Sequence, residues 1–125
     1  MKITKERKFA NLEEMFEQLV NAGEWEKALS IGEQLVAQKP DDSYLCLSMG
    51  YCLFNVNDLD QSEQYLIRAL ENGDDHTITP FMISRIYHHR GDFATEIVWI
   101  NKSLDREPGK PEITLALARA YKSLG

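Results

Sequence analysis

Three turn signals set 34 residues apart constrain this chain more than any other feature of it. Gly23-Glu24-Trp25, Asn57-Asp58-Leu59 and Gly91-Asp92-Phe93 each join a residue that tolerates positive φ to an acidic residue and then a bulky apolar one. One more step of 34 lands on Gly125. A second series keeps the same beat: Pro40 and Pro108 stand 68 residues apart, with Asp74 at the midpoint. Self-similarity at a fixed period of about 20–50 residues marks a stack of supersecondary units, each covering its neighbour's apolar face.

Between the turns the apolar residues follow helical spacing. Leu12, Met15, Phe16 and Leu19 run at i, i+3, i+4 and i+7, the stripe of an amphipathic helix. Cys46, Met49, Gly50 and Leu53 repeat it one period on, Ile83 and Tyr87 do so in the third unit, and Leu117, Ala118 and Tyr121 in the fourth. Second helices are expected over 25–38, 59–71 and 93–105, carrying Ala28, Leu29 and Leu35, then Tyr65, Leu66, Ala69 and Leu70, then Ile97, Ile100 and Leu104. Pro40 and Pro108 stop the helices before them, because proline has no N–H to continue the ladder. Thr79-Pro80 reads as a helix start, with the Thr79 hydroxyl as cap and Pro80 in the first helical position.

Composition narrows the class. The chain has 125 residues, 43% hydrophobic and 27% charged, which suits one globular domain and excludes disordered or collagen-like chains. A net charge of −6 argues against nucleic acid as partner, since phosphate contacts need Lys and Arg in excess. No apolar run approaches the roughly 18 residues of a membrane span. The start, Met1-Lys2-Ile3-Thr4-Lys5-Glu6-Arg7-Lys8, is basic without the apolar stretch of a secretory signal, so a cytoplasmic protein is expected, with no membrane partner. Cys46 and Cys52 lie six apart on one expected helix, about 120° apart around its axis, and cannot bridge. They read as small buried apolar groups.

These residues resemble the tetratricopeptide repeat family. Its pattern of small and large residues appears as Met49-Gly50 followed by Leu53, as Ala28 in a second helix, and as Tyr87 and Tyr121 late in first helices. The resemblance covers residues 9–125 and implies an all-α, right-handed α-solenoid. Three helix-turn-helix repeats (9–42, 43–76 and 77–110) would be followed by a capping helix over 111–124. Glu112, Arg119, Lys122 and Ser123 would give that cap its polar side. The chain departs from the family pattern at Gly32, where a large side chain is usual, at Ser62 and Glu96, which replace the common alanine, and at Pro80, which replaces a bulky residue.

No enzyme chemistry is legible. The sequence has no Gly-rich phosphate loop, no nucleophile elbow and no metal motif with ligand spacing. His88 and His89 are adjacent, hence about 100° apart on a helix, and cannot chelate one ion together. His76 sits in the acidic linker Asp74-Asp75-His76, and Asp41-Asp42 and Asp58-Asp60 read as solvated faces. A non-enzymatic chain without cofactor or metal is expected.

Helix 44–56 is different, because beside its packing stripe it carries a second one: Tyr44, Leu47, Tyr51 and Phe54. The resemblance implies that first helices line a concave face that the stack leaves uncovered. On that face the first unit offers Glu13, Glu17 and Val20, the third Ile78, Phe81, Arg85 and His88, and the cap Leu115, Arg119 and Lys122. The candidate partner-binding residues are therefore Tyr44, Leu47, Tyr51, Phe54, Ile78, Phe81, Arg85, His88, Arg119 and Lys122. Charge is split along the chain: residues 9–79 hold 14 acids and 3 bases, net −11, and residues 80–125 hold 5 acids and 7 bases, net +2. Such a gradient orients a bound segment. Two other coverings of the apolar face are open: the chain's own N-terminus, with Ile3 and Phe9 as plug, and a second copy in a homodimer. The basic run Lys2, Lys5, Arg7 and Lys8 reads as a solvated helix start.

Clamp-type members of the family grip chaperone C-terminal carboxylates with Lys, Asn and Arg, and the matching positions here hold Glu13, Glu17, Ser48, Ile78 and Met82. An apolar peptide or amphipathic helix of a partner protein fits the face better than a chaperone tail. Each large anchor gains about 1.5–3 kcal/mol on burial, and ordering costs bring the expected affinity to about micromolar. A protein-interaction scaffold is the leading expectation. Its chaperone-like version, similar to small acidic secretion chaperones, would shield apolar segments of export substrates. The alternatives are an N-terminal assembly or targeting domain of a larger enzyme, such as a glycosyltransferase, and a self-association module.

Overall fold

A computed structural model describes residues 11–125, and those residues form seven α-helices and no strand. In chain order they are α1 (Leu12–Asn21), α2 (Trp25–Gln38), α3 (Ser43–Asn55), α4 (Leu59–Glu71), α5 (Ile78–His89), α6 (Phe93–Arg106) and α7 (Pro111–Leu124). The 34-residue period is built into the turn backbone. Gly23, Asn57 and Gly91 take φ of 73°, 65° and 76°, the left-handed conformation that ends a helix. The next residue closes each turn identically: Glu24 N–H donates to Leu19 O at 3.0 Å, Asp58 N–H to Leu53 O at 2.9 Å, and Asp92 N–H to Tyr87 O at 3.0 Å. The aspartates then start the following helix, accepting from Gln61 N–H at 3.2 Å and from Thr95 N–H at 3.1 Å. At Asp92 the Thr95 hydroxyl donates as well, at 2.8 Å, and these bonds hold its carboxyl below the usual range.

The chain divides after Asn72 into two compact units. In the first, α1 packs on α2, α2 on α3 and α3 on α4. Its core gathers Phe16, Ala28, Leu35, Val36, Leu45, Met49 and Cys52. In the second, α5 packs on α6 and α6 on α7, around Ile97, Ile100, Ile113 and Ala120. Ile3, Phe9 and the basic run Lys2, Lys5, Arg7 and Lys8 lie outside the described residues.

Where a second helix touches the first helix of its pair, the family's alanine position holds Ala28, Ser62 and Glu96, and all three are buried. Each polar replacement finds a partner. The Ser62 hydroxyl donates to Gly50 O at 2.7 Å, and Glu96 Oε1 lies 3.3 Å from His88 Nδ1. Gly32 is equally constrained: a Cβ there would collide with Met49 Sδ and come within 2.7 Å of the Phe16 ring.

Two local expectations are corrected. Helix α5 starts at Ile78, so Thr79 is no cap; its hydroxyl is buried without a hydrogen-bond partner, and Pro80 stands within the first turn, where its missing N–H is not needed. The Thr77 hydroxyl donates to Glu107 Oε1 at 3.0 Å, and the Ser103 hydroxyl donates to Thr77 O at 2.8 Å. In α7 the buried stripe is Ile113 and Ala120 with Ala116 and Leu117 beside them, whereas Ala118 and Tyr121 are exposed, because α6 covers a single face of that helix. Asp74, the residue at the missing proline's place in the acidic linker, has a structural task that the sequence did not disclose. It is buried and lies 2.7 Å from His76 Nδ1 and 3.4 Å from Arg106 Nη1.

Cys46 and Cys52 are both buried and unbridged. Burial raises both thiols, Cys52 to about 11, and at Cys46 the neighbouring Arg68 partly opposes the rise. With about a thousandth of Cys52 ionised at pH 8, labelling by a thiol reagent is expected to be slow in buffer and complete in denaturant. Rapid labelling of the folded chain, read by absorbance, would contradict this burial.

Candidate peptide-binding site

Helix α3 is apolar nearly all round because two helices of its unit pack against it, α2 and α4. Leu45, Cys46, Leu47, Met49, Gly50, Cys52 and Leu53 are all buried. Leu47 therefore leaves the uncovered stripe: at 7% exposed it has joined the interior. Tyr44 and Tyr51 stay outside, at 56% and 41% exposed, and Phe54 is half-buried. The Tyr51 ring stands edge-on to Trp25 at the start of α2, centroids 5.4 Å apart, which fixes the phenol against the helix pair.

Next to Tyr44, between α1 and the end of α2, the first unit opens a cavity of about 160 Å³. Phe16, Val20, Leu35 and Leu45 supply its apolar surface. Glu13, Glu17 and Asp42 supply carboxylates, Ser48 and Asn21 neutral polar groups, and Lys39 the sole cation among the lining residues. Glu13 and Glu17 lie one helical turn apart on α1 and are exposed. Lys39 Nζ reaches Glu13 Oε1 at 3.1 Å, and Asp42 is engaged as the cap of α3, accepting from Leu45 N–H at 3.0 Å. Glu13, Glu17, Val20 and Tyr44 thus line one cavity, a grouping that helical phase and the family resemblance suggest. Helical phase does not disclose Leu45, nor Phe16 and Leu35, which read as helix-packing residues; all three belong to the core, yet also show an edge to this cavity.

In the second unit Ile78 is 45% exposed at the start of α5. Phe81 is half-buried against the Ile97, Ile100, Ile113 and Ala120 cluster, so part of its surface belongs to the core. Arg85 is half-buried. His88 serves the buried Glu96 and meets the Phe93 ring edge-on, centroids 5.9 Å apart, a structural task the sequence did not disclose. Arg119 and Lys122 are exposed on α7. Among the described residues no group of three or more His, Cys, Asp or Glu is placed to hold a metal, and no helix is long and apolar enough to cross a membrane.

Antiparallel helix pairs closed by one repeated turn define an all-α helical repeat protein. The family model described as tetratricopeptide repeat matches residues 19–78, from the end of α1 to the start of α5, and the helical-repeat fold agrees with it. A curated relative, the BBSome complex member BBS4 of Bos taurus, is 24% identical over 92% of the chain, which spans only 22% of that protein's length. Among solved structures, MamA superposes with a TM-score of 0.87 at 16% identity, covering 93% of this chain and 63% of its own. The first TPR of Spaghetti (RPAP3), bound to an HSP90 peptide SRMEEVD, gives a TM-score of 0.83 at 15% identity, covering 94% of each chain.

Proposed function

We propose that this chain is a protein-interaction module that binds a peptide or helical segment of a partner, acting by binding and not by catalysis. The observation that carries the reading is Tyr44, exposed beside an open, apolar-floored cavity in the first unit. Large aromatic side chains held on rigid helices next to a cavity are the usual anchors of peptide recognition. The peptide-bound Spaghetti domain supports the same use of this fold. Its peptide, SRMEEVD, is rich in carboxylates, whereas the cavity here is rimmed by carboxylates, so a chaperone tail is a poor fit.

Selection from a displayed random peptide library, followed by titration of the recovered peptides, tests the reading. Tyr44→Ala is expected to weaken them about tenfold, the loss of one aromatic anchor, with the circular dichroism spectrum unchanged. No recovered peptide, or peptides that ignore the substitution, would reject it. A second reading, an assembly region inside a longer protein, is favoured by the length of BBS4 beyond the matching stretch and by its name as a complex member. The length of the parent reading frame tests that one.

A further inference from the structure

The described residues of the first unit, 11–72, carry 12 acids against 3 bases, a net charge of −9. At the cavity beside Tyr44 this excess becomes local, with Glu13, Glu17 and Asp42 facing Lys39 alone. An ammonium already rests on the rim, Lys39 Nζ at 3.1 Å from Glu13, so the carboxylates of α1 stand where a cation is accepted. Glu17, one turn further along, makes no ion pair with any described residue and faces the same opening.

We infer that this cavity takes a basic, apolar segment of a partner protein. One aliphatic or aromatic side chain would enter the floor of Phe16, Val20 and Leu45, and a neighbouring Lys or Arg would pair with Glu17. The inference rests on the binding role proposed above and names the partner's chemistry at the same site. The size agrees: the cavity of about 160 Å³ matches the roughly 150 Å³ that accommodates a single benzene ring. Charge complementarity chooses between partners, because like-charged segments are repelled from an acidic rim while cationic ones are drawn in at long range.

The test titrates the full chain with three short labelled peptides, built of Lys and Leu, of Glu and Leu, and of Lys and Ser, followed by fluorescence anisotropy. The Lys–Leu peptide is expected to bind about tenfold or more tighter than either other peptide, and to weaken as salt rises to about 0.5 M. Glu17→Lys, an exposed substitution that leaves the core untouched, is expected to cost about fivefold or more, and Glu17→Gln less. Equal binding of the Lys–Leu and Glu–Leu peptides, or no response to Glu17→Lys while Tyr44→Ala still weakens binding, would overturn the basic partner and leave the binding role standing. Equal binding of the Lys–Ser peptide would reduce the effect to bulk charge and would also overturn it. So would a full chain with Lys2, Lys5, Arg7 and Lys8 all replaced by Ser that bound much more tightly, since its own N-terminus would then be the occupant. A dimer that the Lys–Leu peptide fails to dissociate would make a second copy the occupant and would likewise overturn the basic partner. Library peptides that ignore Tyr44→Ala would remove the binding role itself.

Discussion

Gly32→Leu, which returns to the chain the large side chain most of its family carries at this place, is expected to destabilise it by about 2–3 kcal/mol. The reason lies across the helix pair. A Cβ at residue 32 already collides with Met49 of α3 and comes within 2.7 Å of the Phe16 ring of α1, so the room a leucine needs is filled from both helices. One period on, sizes are exchanged. Residue 50 is the counterpart of Phe16 and is glycine, while residue 66 is the counterpart of Gly32 and is a fully buried leucine. There the close approach runs the other way, with a Cβ on Gly50 coming within 2.7 Å of Leu66. Each pair fits one large and one small residue into the same crossing, in opposite order.

That exchange makes a stronger test than either single change. Phe16→Gly should cost about 4 kcal/mol by opening a cavity and weakening α1. The double variant F16G/G32L should recover about 2 kcal/mol of the summed loss, because it rebuilds in the first pair the arrangement native to the second. Denaturant titrations of the four proteins read the coupling directly. Simple additivity of the two losses would show that Phe16 and Gly32 do not share one space.

The period, the helix ends and the seven helices were legible because each depends on neighbours in sequence. A left-handed residue, an acid and a bulky residue suffice to end one helix and begin the next, and Asn57 does so as well as Gly23. Glu13, Glu17, Val20 and Tyr44 could be brought to one surface from helical phase and the family resemblance. The features that stayed hidden need a partner distant in the chain. Helical phase puts Leu47 on an open stripe, but a helix packed by two neighbours has less open surface than its wheel suggests. Glu96 in an alanine's place gives no warning that His88 is drawn to it. Gly32 reads as a defect until Phe16 is set opposite.

Asp74 is the sharpest case of the same kind, and its removal should be felt in the stability of the second unit. In an acidic run, at a place where the period puts proline, it gives no sign of burial. Its side chain is instead fully enclosed, with one oxygen 2.7 Å from His76 Nδ1 and the other 3.4 Å from Arg106 Nη1. Arg106 also donates to His76 O at 2.7 Å, so the carboxylate fixes the end of α6 against the segment that leads into α5. Two of the three groups keep contact with water, His76 with 52% and Arg106 with 30% of its side chain exposed, which moderates the loss relative to a fully buried pair. Asp74→Ala is therefore expected to cost about 2–3 kcal/mol. Asp74→Pro, which restores the periodic residue, should fare no better, since it too lacks the carboxylate. Repeating Asp74→Ala in an Arg106→Ala background should cost clearly less than in the native chain. A proline variant as stable as the native protein, by thermal and denaturant unfolding, would show that the backbone alone makes this connection and that the carboxylate adds nothing.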